Sequence, residues 1–256
     1  MKYLALSLLF IFSAFAQSNT KCVAHRGYSG ISLENSMKAF KNAHKHKADA
    51  IELDLHFSKD GTPIIMHDST LRRTSSSKPG RKCQLAKKIK KLKLNEIQQN
   101  CQLRNGEEIP TLDKLLSYFQ DKNIQIFIKI KVKGNKRLIE LINTYYSHQL
   151  DKIKIISSRA KRFKNLIKID DFSILDQVDF FNTDFFAFNK FKKFNASYWY
   201  FSDTIMSITG YSSKRQIYIW TIDDAVKMTS YFEKGVDYIA TNLVSMCTKI
   251  RDSQGQ

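Results

Sequence analysis

Side chains able to do acid–base chemistry concentrate in one stretch of this chain, residues 23–68. His25 and His67 each lie at or near the end of a short apolar run, and an imidazole, which titrates near neutral pH, can give or take a proton. Glu52 and Asp54 lie between them in sequence, and carboxylates are ligands that suit Ca²⁺ or Mg²⁺. This spacing predicts a site assembled from several strand ends.

The strands that must position these residues alternate apolar and polar side chains. Successive strand residues point to opposite faces, so the apolar row of AIELDLHF would pack on helices while Glu52 and Asp54 face inward. By the same rule, Lys129 and Lys131 of IQIFIKIKV point inward. Two carboxylates and two ammonium groups are then expected to converge on the inward face of one sheet. Burying such charges without purpose is costly, so the pattern favours a phosphate or metal site.

Apolar runs alternate with helical patterns along the whole chain. Strands are predicted at 23–26, 50–57, 63–67, 125–132, 153–157, 196–201, 217–221 and 238–241. Helices are predicted at 32–46, over the basic segment 87–93, at 109–120 and at 223–234. About eight strands, mostly linked by helices within a single domain, predict an α/β fold with a parallel sheet closed into a TIM (β/α)8 barrel.

The first sixteen residues predict a secretory signal peptide, followed by a single domain at 17–256. Lys2 supplies the positive charge, residues 4–12 form a short apolar run, and Ala14-Phe15-Ala16 offers a cleavage site after Ala16. The apolar run is shorter than the roughly twenty residues of a transmembrane helix. The protein is therefore expected to be secreted or periplasmic.

Export makes the four cysteines candidates for disulfides, and these are Cys22, Cys83, Cys101 and Cys247. Four cysteines allow three connectivities. Cys83 and Cys101 bracket one basic segment and are the preferred pair, which would close a loop on one side of the site. Four reduced, buried thiols are the alternative.

The chain is strongly basic, with 42 Lys and Arg against 24 Asp and Glu, a net charge of +18. Such an excess attracts anionic partners, for example an anionic membrane surface, or simply keeps an exported protein soluble. The basic segments lack interleaved aromatic residues and zinc-ligand spacing, so nucleic acid is not an expected partner. The oligomeric state is left open.

Eight motifs, in order along nearly the whole predicted mature chain, resemble the glycerophosphodiester phosphodiesterase family. They are HRG at 25–27, ENS at 34–36, ADAIELDL at 48–55, KDGTPIIMHD at 59–68, LRRT at 71–74, IPTLDKLL at 109–116, IYIWTID at 217–223 and GVDYIATN at 235–242. The resemblance implies a TIM barrel with its site at the C-terminal ends of the strands. It also implies hydrolysis of glycerophosphodiesters to glycerol 3-phosphate and an alcohol, a role in lipid metabolism, and usually a bound divalent cation.

The resemblance also implies roles for individual residues. The catalytic pair would be His25 and His67, one activating the attacking hydroxyl or water and the other protonating the departing oxygen. Arg26 and Lys131 would contact the phosphate, and Trp220 would lie in the substrate mouth. Glu52 and Asp54 would bind the metal. For Trp220, a purely structural role in the core is an equal alternative.

One position departs from the family pattern. Lys129 stands where the family carries a third metal carboxylate, two residues before its lysine. Unit charges ~4 Å apart interact by roughly 4 kcal/mol at an effective dielectric of about 20, and a divalent ion doubles this. Exchanging an anion for a cation could change metal retention by on the order of ten kcal/mol before screening and relaxation. The ordinary three-carboxylate site is therefore not expected.

Three interpretations of Lys129 stay open. In the first, its ammonium takes the role of the missing cation, pairs with Glu52 and Asp54, and helps to neutralise charge on the phosphorane-like transition state. This arrangement resembles bacterial phosphatidylinositol-specific phospholipases C, which use a basic side chain where related enzymes use calcium. Alternatively, a weakly held Ca²⁺ or Mg²⁺ survives on Glu52 and Asp54. In the third, the barrel has lost turnover and binds phosphodiesters or anionic lipid surfaces. His25 and His67 favour catalysis, because a binding protein has no chemical need of both.

Two features of the second half depart further from the family. Residues 179–201 are rich in Phe with interspersed Lys, which indicates either core packing or an apolar, basic lip that meets a lipid substrate such as a lysophospholipid. Asn242 stands where an aspartate often ends the family's last strand. The sequence alone assigns no role to this change.

Overall fold

The computed structural model describes residues 19–157 and 216–254, Arg162 and Leu166, and the backbones of two strands at 179–182 and 198–202. The predicted signal peptide at 1–16 and the side chains of the Phe-rich segment, with the lip expected there, lie outside the described residues. Within the part that is described, no helix is both long and apolar enough to cross a lipid bilayer.

Strands and helices alternate through most of the described chain. The strands are β1 Lys21–Ala24, β2 Ala50–Phe57, β3 Pro63–Ile65, β4 Ser75–Ser77, β5 Cys101–Leu103, β6 Gln125–Ile130, β7 Ile153–Ser157, β8 Asp179–Asn182, β9 Tyr198–Ser202, β10 Gln216–Trp220 and β11 Tyr238–Thr241. The helices are α1 Met37–Lys45, α2 Leu94–Asn100, α3 Leu112–Phe119, α4 Lys136–Tyr146, α5 Ala225–Glu233 and α6 Val244–Ser253, with 3-10 turns at Ile89–Lys91 and Leu150–Lys152.

Eight parallel strands close into a barrel. Their order is β1, β2, β6, β7, β8, β9, β10 and β11, and β11 pairs again with β1. The closing pairs join Val23 to Ala50 on one side of β1 and Lys21 to Tyr238 on the other. The predicted TIM (β/α)8 barrel is therefore confirmed.

Side chains of the barrel strands pack in two layers, one outside and one inside the barrel, as the alternation predicted. The outward apolar row of β2 and β6 packs in one cluster with helix residues such as Phe40, Leu116 and Leu138. Inside the barrel, Phe127 lies 5.0 Å from both Tyr218 and Tyr238, measured between ring centres. These rings come before the polar residues along their strands, so they form an apolar floor beneath the site.

Helix starts follow local capping. Four helices, α1, α3, α4 and α5, begin after a residue whose side chain accepts a backbone N–H three positions later, which stabilises a helix N-terminus. The caps are Ser36, Thr111, Asn135 and Asp224. The helix predicted at 32–46 therefore begins later than expected, because Asn35 has a φ of 54° and Ser36 is the cap.

Two other sequence-based expectations were wrong. The run at 63–67 is not a barrel strand, since β3 pairs with β2 in the antiparallel direction. Only residues 58–62 join the two strands, and a parallel crossover needs a dozen or more residues. The basic segment 87–93 is not a helix but contains the short 3-10 turn Ile89–Lys91. The eighth barrel strand is instead β8, which the sequence did not reveal.

The β3–α3 segment, residues 66–111, forms a small unit with its own apolar cluster. It contains the antiparallel pair β4 and β5 together with α2. The Cys83–Cys101 disulfide, which was the preferred pair, fastens this unit. A second disulfide, Cys22–Cys247, joins β1 to α6, so the alternative of four reduced thiols is wrong.

Candidate active site

His25 follows β1 and is oriented from the other end of the chain. Its Nδ1 donates to Asn242 Oδ1 at 3.0 Å, while Asn242 donates from Nδ2 to Asp223 Oδ2 at 2.6 Å. The second bond fixes the amide orientation, so the imidazole proton is placed on Nδ1. Nε2 is buried and has no hydrogen-bond partner among the described residues. His25 can therefore offer the Nε2 lone pair as a base.

The charge state of His25 depends on its burial. Burial lowers the pKa of His25, and the positive charges of Arg26 and Lys129 lower it further. Glu52 and the hydrogen bond to Asn242 oppose this change but do not outweigh it. His25 is therefore neutral at neutral pH, which is the state that a general base requires.

Glu52 and Asp54 are fully buried on the inward face of β2. Glu52 Oε2 accepts the backbone N–H of Arg26 at 3.0 Å, and Asp54 Oδ2 accepts Asn35 Nδ2 at 3.1 Å and lies 3.3 Å from Arg26 Nε. The second oxygen of each carboxylate, Glu52 Oε1 or Asp54 Oδ1, has no hydrogen bond within the described part of the chain. Both oxygens are approached by lysines of the neighbouring strand.

Lys129 and Lys131 bring ammonium groups to these two oxygens. Lys129 Nζ lies 3.7 Å from Glu52 Oε1, and Lys131 Nζ lies 3.5 Å from Asp54 Oδ1. Lys129 Nζ also lies 4.1 Å from the centre of the Trp220 ring, a cation–π contact. The convergence of two carboxylates and two lysines that the strand alternation predicted is confirmed.

The same lysines set the ionisation of Asp54. Burial acts to raise the pKa of Asp54, but Lys129, Lys131 and Arg26 outweigh burial and hold this pKa below its ordinary value. Burial in turn lowers the pKa of Lys131, an effect that Asp54 opposes. Asp54 is therefore a carboxylate at neutral pH, held by cations on more than one side.

His67 lies on the rim of the site and is oriented by a carboxylate. Its Nδ1 donates to Asp68 Oδ1 at 2.7 Å, and Arg73 donates from Nε to Asp68 Oδ2 at 2.8 Å. The hydrogen bond from Arg73 lowers the pKa of Asp68 to about 2. Arg73 Nη2 also reaches Glu34 Oε1 at 2.6 Å, and Glu34 accepts Arg26 Nη1 at 3.1 Å. His67 is thus connected to the end of β1 by a row of residues of alternating charge: Asp68, Arg73, Glu34 and Arg26.

All eight residues predicted from the sequence lie on the strands and loops around this site: His25, Arg26, Glu52, Asp54, His67, Lys129, Lys131 and Trp220. The guanidinium of Arg26 already faces Glu34 and Asp54, so its contact with a phosphate stays a prediction. The sequence reasoning missed the partners that orient the histidines, namely Asn242 and Asp68. The aspartate directly after His67 and the noted change at Asn242 were the signals that could have found them.

The two free carboxylate oxygens are the atoms of this site that bear on binding of a divalent cation. Glu52 Oε1 and Asp54 Oδ1 are the oxygens that such an ion would take, but an ammonium group lies within 4 Å of each. Among the described residues, no group of three His, Cys, Asp or Glu side chains is arranged to hold a metal. Because each of these two oxygens already faces an ammonium group, the described side chains do not fit a divalent cation at this position.

Solved structures similar to this chain share its fold. A glycerophosphodiester phosphodiesterase from Parabacteroides distasonis matches with a TM-score of 0.75 and 22% identity, over 94% of this chain and 100% of that one. An Oleispira antarctica phosphodiesterase, solved with the product sn-glycerol-3-phosphate, matches with a TM-score of 0.70 and 17% identity, over 91% and 96% of the two chains. At these identities the likeness concerns the fold alone.

Relatives in sequence are more similar over a shorter stretch. Glycerophosphodiester phosphodiesterase 1 of Bos taurus is 37% identical over 133 residues, which are 50% of this chain and 39% of the relative. A human lysophospholipase D is 34% identical over 139 residues, 51% of this chain and 43% of the relative. The match thus spans less than half the length of either relative.

One family model matches a continuous range that contains most of the site. A family model described as "Glycerophosphoryl diester phosphodiesterase family" matches residues 25–185, which begin at His25 and include every predicted site residue except Trp220. That range is more than half of the chain. The buried carboxylates, the two oriented histidines and the closed barrel are thus features of a chain that belongs to the glycerophosphoryl diester phosphodiesterase family.

Proposed function

We propose that this protein hydrolyses phosphodiester bonds in glycerophosphodiesters or lysophospholipids, and that it does so without a divalent cation. The observation that carries this proposal is the position of the two ammonium groups of Lys129 and Lys131, within 4 Å of the carboxylates Glu52 and Asp54. Family membership and the activities named for the bovine and human relatives support the reaction class.

In this proposal His25 is the base. Its buried Nε2 carries the lone pair, and its lowered pKa keeps the ring neutral, so it can take the proton from the attacking hydroxyl or water. His67 is the acid that protonates the departing alcohol oxygen. The carboxylate of Asp68 orients this ring and balances the positive charge of its protonated form.

The lysines supply the electrostatic contribution. As the nucleophile attacks, negative charge grows on the phosphate oxygens, and fixed cations in a water-poor site stabilise it. Lys129 is held in place by Glu52 and by the Trp220 ring, so little reorganisation is needed during the reaction. Lys131 and Arg26 provide two further positive charges near the position proposed for the phosphate.

The setting of the enzyme is also part of the proposal. The apolar run at 4–12 and the small residues before Gln17 support export, and the two disulfides support an oxidising compartment, so we place the protein in the periplasm or outside the cell. The net charge of +18 supports weak attraction to anionic membrane surfaces, where lysophospholipids are found.

The test is an assay of purified protein on glycerophosphocholine, glycerophosphoglycerol and a lysophospholipid. Each substrate is measured with excess chelator and then with added Ca²⁺ or Mg²⁺, for the wild type, Lys129→Glu and the control Lys136→Glu, which reverses an exposed charge outside the site. We expect wild-type turnover to survive chelator, Lys129→Glu to lose it, and Lys136→Glu to keep it. His25→Ala and His67→Ala should each abolish turnover while the circular dichroism spectrum stays unchanged.

Other outcomes separate the alternatives. Wild-type turnover that appears only with Ca²⁺ or Mg²⁺ would show that a weakly held metal is required. No turnover in any buffer, together with salt-sensitive binding of diester or anionic vesicles, would show a family member that has lost catalysis and is retained for binding. Either result would overturn the proposal.

A further inference from the structure

A cavity with positively charged walls opens beside the candidate active site, where β2 and β6 end. Its volume is about 730 Å³, which is within the range of small-molecule sites. Its cationic lining is Lys59, Lys88, Lys90, Lys131, Lys133 and Arg162. These residues come from the β2–β3 turn, the β3–α3 segment, the end of β6 and the region after β7.

The cavity adjoins the reacting centre through two residues. Lys131 lines the cavity, and its Nζ lies 3.5 Å from Asp54 Oδ1. His56 lines it too, and its Nε2 lies 3.2 Å from the backbone oxygen of His67. A substrate with its phosphate between His25 and His67 can therefore extend one of its alcohol groups into this cavity.

The charge balance differs between the two regions. In the active site, four cations face four carboxylates: Arg26, Arg73, Lys129 and Lys131 against Glu34, Glu52, Asp54 and Asp68. Among the residues that the structure describes, no Asp or Glu lines the cavity. Lys59, Lys88, Lys90 and Lys133 form no ion pair with any residue of the described part of the chain. The nearby Asp60 instead accepts the Ser58 hydroxyl and the Leu94 N–H.

We propose that this cavity binds a second phosphate group, carried by the alcohol part of the phosphodiester substrate. The proposal rests on the proposed phosphodiesterase function and narrows its substrate class. Unbalanced cations in a concave site concentrate positive potential, which attracts an anionic phosphate group and repels a cationic alcohol such as choline. The preferred diester is then one whose alcohol is phosphorylated, or a unit of a glycerophosphate chain whose next phosphodiester occupies the cavity.

Matched substrates test this preference. Glycerophosphoinositol is compared with glycerophosphoinositol phosphate, and glycerophosphoglycerol with a short glycerophosphate oligomer, using kcat/KM for the wild type, Lys88→Gln/Lys90→Gln and the control Lys136→Gln. We expect the wild type to favour the member with the extra phosphate by about tenfold or more, a difference of roughly 1.4 kcal/mol. The double variant should lose most of this preference and keep its kcat/KM for the two substrates that lack the extra phosphate. Lys136→Gln should match the wild type.

The two substrate pairs separate the two sources of the second phosphate. A preference only in the inositol pair identifies a phosphomonoester, and a preference only in the glycerol pair identifies the next diester of a chain. Equal kcat/KM within both pairs, or a preference that survives in the double variant, would overturn the proposal.

A binding measurement separates failure of this proposal from failure of the proposed catalysis. Calorimetry with inositol phosphate, against inositol as the control, needs no turnover. Binding that Lys88→Gln/Lys90→Gln weakens by about tenfold supports the cavity even if no diester is cleaved. Equal binding to the wild type and the double variant would contradict it.

Discussion

Asn242 determines which nitrogen of His25 is available as a base, and it does so without adding a charge. Its amide oxygen holds Nδ1–H while its amide nitrogen is held by Asp223. An aspartate at this position would place a negative charge beside the imidazolium form of His25. The amide instead leaves the lowered pKa of His25 to burial and the surrounding cations.

We therefore expect Asn242→Asp to raise the pKa of His25. The base is active when deprotonated, so activity is lost as the pH falls through this pKa, and the acid limb of kcat/KM should move to higher pH by about one pH unit. A pH–rate profile measures this shift. The matched variant Asn105→Asp, which places the same charge at an exposed loop, should leave the limb where it is, and an unmoved limb in Asn242→Asp would contradict the assignment of His25 as the base.

Asp68 is the corresponding residue for His67. With a pKa of about 2, it stays ionised at every pH at which the enzyme would work. Asp68→Asn should lower kcat by about a hundredfold, because the ring loses its orienting acceptor and the charge that balances its protonated form. Steady-state kinetics with the control Glu108→Gln, which neutralises an exposed acid outside the site, measures the effect. A change in KM alone would indicate a binding role for His67.

At the scale of elements, the junction between β1 and α1 aligns the buried carboxylates. Asn35 has a φ of 54°, donates to Asp54 Oδ2 at 3.1 Å and accepts the backbone N–H of Asp54 at 3.2 Å. Asn35, in the left-handed region, thus lies directly before the helix cap Ser36 and orients Asp54.

Substitutions at Asn35 should separate these effects. Asn35→Ala should lower the free energy of unfolding by about 2–3 kcal/mol, since it leaves buried polar groups of Asp54 without partners. Asn35→Gly should be less harmful by roughly 1 kcal/mol, because glycine adopts a positive φ without strain. Urea denaturation of both variants measures the difference. Ser36→Ala, which removes only the helix cap, should cost about 1 kcal/mol and leave turnover intact.

The alternation of side chains along the strands predicted more of the residues of this site than the sequences of its loops did. The inward rows of β2 and β6 placed Glu52 and Asp54 beside Lys129 and Lys131, because side-chain direction in a strand follows from position alone. The Asp68–Arg73–Glu34 contacts depend on how the β3–α3 segment folds back, which no local pattern encodes. Helix α4 was a different kind of omission: the apolar spacing of Leu138, Ile142 and Tyr146 and the cap Asn135 were present in the sequence.

At the scale of the whole molecule, positive charge is distributed unevenly between the active site and the neighbouring cavity. Among the described residues, opposite charges are balanced in the active site but not in the neighbouring cavity, so part of the net charge of +18 is concentrated at the barrel mouth. Long-range attraction and local recognition therefore act in the same direction for an anionic substrate. Salt weakens both the long-range attraction and the local recognition, and it weakens the interactions of exposed charges before those of buried ones.

The two disulfides should differ in their effect on stability. Cys22 and Cys247 are 225 residues apart, and Cys83 and Cys101 are 18 apart. In the chain-entropy account, closing these loops stabilises the fold by about 5 and about 3 kcal/mol, respectively. Cys22→Ala/Cys247→Ala should therefore lower Tm more than Cys83→Ala/Cys101→Ala does, as calorimetry of each double variant would measure. The opposite order would indicate that the β3–α3 segment depends more on its covalent link than the barrel does.

The Cys22–Cys247 bond makes the main chain a ring that contains every barrel strand from β2 to β11. A protease that cuts one peptide bond inside this ring cannot release either piece, and the cut barrel stays held by its remaining strand pairs. On a denaturing gel without reductant, a cut molecule would keep its full mass, and the fragments would separate only after reduction. An enzyme that works among extracellular proteases would thus tolerate a first cut that would divide an open chain in two.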